Sequence, residues 1–197
     1  MNIKPVNLLD CTLRDGGYYN NWDFSKTVIQ NYINDICSTG IKNIELGFRF
    51  KEIKKIKGLT AYTDQNLLKY LKIPKNINLG IMINTSDLIE NNSLKVQVLE
   101  KLISKQNKKK LSFVRFACHY NEIFYLERCF KYLEKLDLKV FINIMQISEI
   151  KFQQLDKIAD FLKKNKVKTI YLADSLGALK PNKLKNIILH LKKKWNW

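Results

Sequence analysis

LLDCTLRDGGYYNNWDF, residues 8–24, decides the fold, and its charged residues set it apart from the rest of the chain. The sequence contains 35 basic residues, of which four are arginines, yet this stretch places Arg14 beside Asp15 and directly before two glycines. The residues before them are mostly small or apolar, which predicts a short buried strand, Val6 to Cys11, with polar side chains at its end. The stretch therefore indicates a sheet with functional polar residues at the end of a strand.

Further apolar runs of the same kind follow, and segments with helical spacing separate them. The predicted strands are Val6–Cys11, Asn43–Phe48, Asn78–Ile83, Phe113–Cys118, Lys139–Ile144 and Thr169–Ala173. Runs such as VFINIM and TIYLA are largely apolar along their whole length. Such runs are typical of strands buried on both faces of a parallel sheet that helices cover.

The segments between the strands carry helix signals. Ser25 predicts the start of the first helix, and Gly40 stands where that helix would stop. Its predicted buried stripe consists of Val28, Ile29, Tyr32, Ile33 and Ile36. Later stripes consist of Leu94, Val98 and Leu102, then Leu126, Phe130 and Leu133, and then Leu155, Ile158, Phe161 and Leu162.

Two architectures fit this alternation, an open doubly wound sheet and a (β/α)8 barrel. The first usually carries a glycine-rich phosphate loop after its first strand, and TLRDGGYY has neither the GxGxxG nor the GxxxxGK spacing. A barrel instead places working residues at the carboxyl ends of many strands. Polar residues stand at or near the end of each strand: Asp10, Arg14 and Asp15; Glu45 and Arg49; Asn84; Arg115 and His119; Asn143 and Gln146; Asp174 and Ser175. We therefore predict an incomplete TIM (β/α)8 barrel of about six βα units, with residues 1–197 as a single partial domain.

Composition limits the class of protein. The chain has 197 residues, and 46% of them are hydrophobic, which suffices for the core of one domain. No apolar run approaches the roughly 18 residues of a membrane span, and the N-terminus lacks an apolar signal segment, so we predict a cytoplasmic protein with no membrane partner. The four cysteines form no CxxC pair, which predicts reduced thiols.

The net charge of +17 raises the question of nucleic-acid binding. The excess consists almost wholly of lysines scattered over predicted helix surfaces, such as residues 192–194. Arginine is the more usual residue for reading phosphates and bases, because its planar guanidinium binds oxygens in pairs. We therefore predict no specific nucleic-acid partner, although weak binding to polyanions at low salt would follow from the charge.

Four segments resemble one known family. They are DCTLRDGG at residues 10–17, IELGF at 44–48, INIMQIS at 142–148 and YLADSLGALKP at 171–181, and they stand in the family's order and spacing. They resemble the DRE-TIM metallolyase (HMGL-like) superfamily, which includes 4-hydroxy-2-oxovalerate aldolase, 3-hydroxy-3-methylglutaryl-CoA lyase and isopropylmalate synthase. GGYYNNW and NIMQIS are most similar to the oxovalerate-aldolase branch.

The resemblance implies a role for the Arg-Asp pair. Cleaving the bond between the carbons α and β to a carbonyl leaves an enolate, whose negative charge needs a fixed cation and hydrogen-bond donors. Arg14 would support the enolate oxygen as a catalytic residue, and Asp15 would be a ligand of the divalent metal, Mn²⁺ or Mg²⁺. Gly16 and Gly17 would let the backbone turn close to the metal and substrate.

The resemblance also implies a substrate-binding group. Glu45 would hold the arginine in position, and Asp174 and Ser175 would lie beside the 2-oxoacid. Tyr18 stands where the aldolases carry an acid-base histidine; a tyrosine there would orient the substrate or a water, which leaves the catalytic base unassigned. Asp10 is interpreted as a strand-end partner.

The family completes its metal site with an HxH pair on a seventh strand, and this sequence has no such pair. His190 falls in a helical pattern and His119 at a strand end, so neither is a strong candidate ligand. Six units do not close an eight-stranded barrel. The chain is therefore expected to be truncated, to be completed by another chain or by a homo-oligomer, or to have lost its activity.

Two functions remain open. The first is a metal-dependent carbon-carbon lyase, an aldolase, acting on a small-molecule 2-oxoacid such as 4-hydroxy-2-oxovalerate or a related pyruvate aldol. The second is an inactive remnant or a non-catalytic binding module of the same fold. A third hypothesis, nucleic-acid binding through the lysine charge, would require steeply salt-dependent retention of DNA or RNA.

Overall fold

The computed structural model describes residues 6–51, 57–104 and 110–195, and within them strands and helices alternate. The strands are β1 (Leu9–Asp10), β2 (Asn43–Phe48), β3 (Asn78–Asn84), β4 (Ile89–Glu90), β5 (Ser93–Leu94), β6 (Phe113–Cys118), β7 (Lys139–Ile144) and β8 (Thr169–Leu172). The helices are α1 (Thr12–Asn20), α2 (Lys26–Ser38), α3 (Leu59–Tyr62), α4 (Gln65–Tyr70), α5 (Val96–Leu102), α6 (Glu127–Lys135), α7 (Phe152–Lys164) and α8 (Pro181–Trp195). None of these helices is long and apolar enough to cross a membrane.

Six strands form one parallel sheet, in the order β1-β2-β3-β6-β7-β8, and β4 pairs with β5 in a separate antiparallel hairpin. The sheet curves into a half-barrel with alternating helices, so the predicted partial TIM-barrel fold is confirmed. The register of the strands aligns residues of neighbouring strands across the sheet. Met82 of β3 lies opposite Arg115 of β6, and Arg115 lies opposite Phe141 of β7. Because the strands are parallel, all their carboxyl ends lie at one edge of the sheet.

The two faces of the sheet pack differently because side chains alternate along each strand. One face carries buried aliphatic residues, among them Ile81 and Ile142, that form a single cluster with helix residues such as Ile33 and Ile158. The other face carries a smaller cluster in which Met82 contacts aromatic residues near the carboxyl ends of the strands. This second cluster lies next to the candidate site.

Predicted and observed elements agree closely where the apolar runs are strong. β2, β6 and β7 have the predicted bounds, and α2 begins after Ser25, whose Oγ accepts a hydrogen bond from the Val28 N–H at 3.2 Å. Gly40, with φ of +83°, follows the end of this helix. Within α2 the buried residues are Ile29 and Ile33, and Tyr32 and Ile36 are partly buried, whereas Val28, predicted to be buried, is exposed.

The structure also corrects the predicted bounds of the first strand and the predicted place of Leu94. The first strand comprises Leu9–Asp10 rather than Val6–Cys11, because α1 begins at Thr12. Leu94, predicted to lie on a helix, belongs to the β4-β5 hairpin, and α5 begins two residues later. All four cysteines are free thiols.

Candidate active site

The Arg-Asp pair of the opening stretch lies in α1, directly after the carboxyl end of β1. Asp10, the last residue of β1, anchors this helix, since its Oδ1 accepts a hydrogen bond from the Thr12 N–H at 2.9 Å. The hydroxyl of Tyr32 on α2 donates to the same oxygen. Asp10 is therefore a strand-end partner, as the sequence suggested, and its oxygen is used to fix α1 against α2.

Arg14 projects from α1 onto the carboxyl half of β2. Its Nε donates a hydrogen bond to Glu45 Oε1 at 2.7 Å, and its Nη1 donates to Asp15 Oδ1. The guanidinium also lies 5.8 Å from the centre of the Phe48 ring. Arg14 is mostly buried, with 12% of its side chain exposed, whereas 63% of the Asp15 side chain is exposed. The pair therefore lies together at the carboxyl edge of the sheet, with its aspartate facing outward.

Glu45 is completely buried and binds a second arginine. Arg115 on β6 donates from Nε to Glu45 Oε2 at 2.6 Å and from Nη2 to Oε1 at 2.8 Å. The face of the Tyr171 ring on β8 covers the Arg115 guanidinium at 4.6 Å. One buried carboxylate thus joins an arginine of α1 to an arginine of β6, and both of its oxygens accept hydrogen bonds. In this arrangement Glu45 holds arginines in place.

The charges around Glu45 act on the groups beside it. Burial alone would lower the pKa of Arg14, but the negative charges of Glu45 and Asp15 outweigh that effect and raise it above the ordinary value. Cys11 lies between the two arginines, with Arg115 Nη2 at 3.7 Å from its Sγ. Burial and the charge of Glu45 raise the pKa of Cys11 to about 11, against the opposing effect of the arginines. Arg14 is therefore a permanent cation, and Cys11 is a neutral thiol at physiological pH.

Trp22 fixes the backbone of α1 and was not predicted from the sequence. Its indole N–H donates a hydrogen bond to the Arg14 carbonyl at 2.9 Å, and only 3% of the residue is exposed. The ring lies against Gly17, where an added Cβ would come within 1.9 Å of the indole. The glycine pair was predicted to turn the backbone near a substrate; instead both residues are helical, and Gly17 makes room for Trp22.

Tyr18 lies on the outward side of the same helix, with 63% of the residue exposed. Its ring contacts Trp22 edge to face, with centroids 4.8 Å apart. Burial and the negative charges of Asp15 and Glu45 raise the pKa of Tyr18, while Arg14 opposes the shift. The phenol is therefore protonated at neutral pH and available as a hydrogen-bond donor. Its role toward a substrate stays a prediction.

Asp174 and Ser175 follow β8 and organise the loop that leaves it. Asp174 accepts hydrogen bonds from the Ala178 N–H at 3.1 Å and the Leu179 N–H at 2.9 Å. Ser175 Oγ accepts a hydrogen bond from the Gln146 N–H at 3.3 Å, which ties this loop to the one after β7. Both residues lie at the carboxyl edge of the sheet, and their predicted contact with a 2-oxoacid stays a prediction.

Of the remaining candidates, Arg49 and His190 hold structural elements together, and His119 lines a cavity. Arg49 is buried and donates to the carbonyls of Thr63, at 2.8 Å, and Leu102, so it joins the ends of α3 and α5. His119 lines a cavity of about 260 Å³ at the carboxyl ends of β6 and β7. His190 lies on α8, and its Nε2 makes a hydrogen bond of 2.8 Å with Asp156 Oδ1 on α7, in keeping with a helix-packing role.

Arg115 was among the predicted strand-end residues, but its pairing with Glu45 was not predicted, and Tyr171 and Trp22 had little signal in the sequence. Arg115 stands in the middle of an apolar run, and its partner Glu45 lies 70 residues earlier. Tyr171 is the one aromatic residue in the run TIYLA, and an aromatic residue at that position was the only sign of its contact with Arg115. Trp22 had no comparable signal, since its contact with Gly17 depends on the turn after α1.

The family resemblance implies a divalent metal, and the side chains at the site show whether this chain alone could bind one. Within residues 6–51, 57–104 and 110–195, no group of three or more His, Cys, Asp or Glu side chains could hold a metal ion. Asp15 offers one exposed carboxylate, already paired with Arg14, while Tyr32 and the Thr12 N–H occupy Asp10. One carboxylate is fewer than a protein-held Mn²⁺ or Mg²⁺ site usually provides. These residues therefore do not make a metal site by themselves.

Comparisons with solved structures identify similar folds. The N-terminal domain of a protein provisionally assigned as an aldolase, from Bacteroides vulgatus, has a TM-score of 0.82 and 28% identity, covering 95% of this chain and 60% of that one. The HMG-CoA lyase of Bacillus subtilis has a TM-score of 0.73 and 12% identity, covering 97% and 65%. The hydroxymethylglutaryl-CoA lyase of Pseudomonas aeruginosa has a TM-score of 0.74 and 12% identity, covering 98% and 66%. The chain thus spans less than two thirds of each of these proteins, and the two lyases show the fold alone.

Comparison with protein sequences and family models identifies the family. No curated protein sequence matches this chain. The family model described as HMGL-like matches residues 5–196. Because that match covers nearly the whole sequence, and the half-barrel carries the Arg-Asp pair at its carboxyl edge, the chain belongs to the HMGL-like family.

Proposed function

We propose that this chain carries the enolate-stabilising part of a carbon-carbon lyase of the DRE-TIM type, an aldolase that cleaves or forms the bond between the carbons α and β to the carbonyl of a 2-oxoacid. One observation carries the proposal: the Arg14 guanidinium is fixed at the carboxyl edge by fully buried Glu45 and contacts Asp15. A cation held in this way needs little reorganisation when negative charge develops on a bound substrate.

The hydrogen bonds of Arg14 leave part of its guanidinium for a ligand. Nε donates to Glu45 and Nη1 donates to Asp15, and a guanidinium carries further N–H donors in the same plane. Those donors would bind the oxygen of the 2-oxo group, on which the charge of the enolate develops. Tyr18, protonated and exposed beside Arg14, would donate to a substrate oxygen or to a water.

The finer assignment rests on the family resemblance. Similarity of GGYYNNW and NIMQIS to the oxovalerate-aldolase branch favours 4-hydroxy-2-oxovalerate or a related pyruvate aldol as the substrate. Asp174 and Ser175 would lie beside the 2-oxoacid, since both occupy the carboxyl edge. Mn²⁺ or Mg²⁺ is the cofactor that the resemblance implies, with Asp15 as the one ligand that we propose from this chain.

Exchange of the pyruvate methyl protons tests the proposal, because enolisation is the half of the reaction that needs only the smallest substrate. Pyruvate would be incubated with the protein in D₂O, with and without added Mn²⁺ or Mg²⁺, and deuterium incorporation followed by NMR. We expect exchange above the buffer rate, and a loss of at least about 100-fold in Arg14→Met. Arg128→Met is the matched control, because Arg128 is exposed on α6 and its loss changes the charge equally. Equal exchange in wild type and Arg14→Met, or none in either, would overturn the proposal.

A non-catalytic binding module is the second candidate function. The observation in its favour is that the described residues contain no group of three potential metal ligands, so the charge available for catalysis is that of the arginines. This candidate predicts that pyruvate binds, that Arg14→Met weakens the binding, and that no methyl exchange occurs. Calorimetric titration beside the exchange assay separates the two candidates.

A further inference from the structure

The inner face of the half-barrel, which is the face of the sheet turned away from the helices, carries polar side chains on three neighbouring strands. They are Arg115 on β6, Asn143 on β7 and Tyr171 on β8. The residue directly before each of them packs in the aliphatic cluster that joins the sheet to the helices. Because side chains alternate between the two faces of a strand, all three point to the inner face.

The three side chains lie close to one another. The Tyr171 ring covers the Arg115 guanidinium at 4.6 Å. Asn143 is the register partner of Tyr171, and neighbouring strands lie about 4.8 Å apart. Asn143 also stands two residues after Phe141, which is the register partner of Arg115. The register of β6, β7 and β8 therefore gathers one cationic and two neutral polar groups on one patch of the inner face.

A shared carboxylate oxygen joins this patch to Arg14. Glu45 Oε1 accepts a hydrogen bond from Arg14 Nε at 2.7 Å and another from Arg115 Nη2 at 2.8 Å. The two guanidiniums therefore lie side by side on a single atom. Glu45 supplies one negative charge to both of them, and Asp15, the other carboxylate of the site, is bonded to Arg14. Arg115 thus has only a share of one carboxylate.

Each of the three side chains has hydrogen-bonding capacity that the described residues do not use. Arg115 bonds through Nε and Nη2, and its Nη1 has no partner within those residues. The Asn143 amide and the Tyr171 hydroxyl have none there either, and both residues are half-buried. None of these atoms is fully enclosed by protein. Since polar groups in such positions usually find partners, unused donors that adjoin a buried cation indicate a ligand.

The donor types match a carboxylate. Arg115 Nη1 and Asn143 Nδ2 carry N–H donors, and burial raises the pKa of Tyr171, while Arg115 opposes the shift, so the phenol is a protonated donor at neutral pH. Several donors, one of them cationic, suit the two oxygens of a carboxylate. In a 2-oxoacid the carboxylate is bonded directly to the carbonyl carbon. A ligand whose 2-oxo oxygen lies on Arg14 therefore places its carboxylate next to that guanidinium, where Arg115 is held.

We propose that Arg115, Asn143 and Tyr171 bind the carboxylate of the 2-oxoacid, while Arg14 binds its 2-oxo oxygen. This inference rests on the proposed function and deepens it, because it locates the recognition of the acid group and assigns substrate-binding roles to Asn143 and Tyr171. It makes the site selective for 2-oxoacids over neutral ketones of the same size.

The test compares pyruvate with pyruvamide, in which a neutral amide replaces the carboxylate and the 2-oxo group is kept. Dissociation constants would be measured by ligand-observed NMR on the methyl protons, with EDTA present so that no metal contributes. Tyr171→Phe keeps the ring over Arg115 and removes the hydroxyl, and Asn143→Leu replaces the amide with an apolar group of similar size. We expect the double variant to bind pyruvate at least about tenfold more weakly than wild type, and pyruvamide within about twofold.

Matched controls make the same chemical changes away from the inner face. Tyr70→Phe on α4 and Asn186→Leu on α8 alter exposed residues and should keep the wild-type preference for pyruvate. Tyr171→Phe alone should give a smaller loss in the same direction as the double variant. The unfolding midpoints verify that the variants are folded. Should the double variant be unfolded, Tyr171→Phe decides, and a pyruvate affinity equal to that of wild type overturns the inference.

The outcomes separate the two proposals. Arg14→Met should weaken the binding of both ligands, because both carry the 2-oxo group. If that holds and the double variant keeps the preference for pyruvate, or weakens both ligands equally, the inference about the inner face is overturned alone. Failure of both ligands to bind in an Arg14-dependent way overturns the proposed function and this inference with it.

Discussion

Arg115 and Glu45 form the most enclosed ion pair of the site, with two hydrogen bonds of 2.6 and 2.8 Å between β6 and β2. Glu45 Oε1 accepts from Arg115 and Arg14 at once, so the position of Arg14 depends on the residue that holds the other side of the carboxylate. A buried carboxylate that loses one such partner turns toward the remaining one or stays partly unpaired, and both outcomes cost free energy.

Arg115→Met should therefore lower the free energy of unfolding by about 3 kcal/mol, because it leaves Glu45 with Arg14 as its one arginine partner. Arg115→Lys should recover part of this loss, since an ammonium restores the charge without the two-pronged geometry. Urea denaturation would measure both variants. Arg128→Met, at an exposed position, should stay within about 0.5 kcal/mol of wild type. A loss under about 1 kcal/mol in Arg115→Met would mean that Glu45 is not held as the geometry indicates.

The two adjacent glycines of α1 should respond oppositely to alanine. Gly17→Ala places a Cβ within 1.9 Å of the Trp22 indole, so the ring must move, and we expect a loss of about 1–3 kcal/mol in the free energy of unfolding. At Gly16 the nearest atom, on Phe24, would lie 3.9 Å from the new Cβ, which is ordinary contact. Gly16→Ala should therefore be neutral or stabilise the helix by up to about 1 kcal/mol. Equal effects of the two substitutions would contradict the packing described for Trp22.

The strands could be predicted because buried parallel strands leave a strong local signal, a short apolar run bounded by polar residues. α1 could not, because its sequence contains two glycines and reads as a turn, and its helix depends on Asp10 and on the indole of Trp22. The Arg-Asp pair was visible in the sequence as an arginine in a lysine-rich chain. The sharing of Glu45 between two arginines was not, since it depends on the register that aligns β2, β3 and β6.

The thiol of Cys11 should report on the two arginines through its pKa. Burial and Glu45 raise this pKa to about 11, whereas Arg115 and Arg14 lower it. Iodoacetamide reacts with the thiolate, so its rate at Cys11 should stay low up to about pH 9 and rise toward pH 11. A Cys37→Ser background removes the other half-buried thiol, while Cys118 and Cys129 are buried. Adding Arg115→Met should move the rise to higher pH, and a shift to lower pH would contradict the proximity of this guanidinium.

The same pKa has a consequence for stability. A folded-state pKa above the unfolded value of roughly 9 means that the folded protein holds the Cys11 proton more tightly. This contribution to stability is complete below about pH 9 and is lost as the pH rises through about 11. The urea concentration at the unfolding midpoint of wild type should therefore decrease, relative to that of Cys11→Ser, as the pH rises from about 9 to about 11. A difference between the two proteins that does not change with pH would show that Cys11 ionises as freely in the folded state as in the unfolded chain.

Trp22 and Gly17 should be energetically coupled, because the glycine is needed only when a full indole occupies the turn. Trp22→Phe removes the N–H that binds the Arg14 carbonyl and reduces the ring volume, so it should destabilise the protein by about 1–3 kcal/mol. In that background the new methyl of Gly17→Ala meets a smaller ring, and its cost should fall by at least about 1 kcal/mol relative to wild type. A double-mutant cycle of the four proteins by urea denaturation measures this coupling. Additive losses would mean that the alanine methyl does not clash with the indole, which would contradict the packing of Trp22 against Gly17.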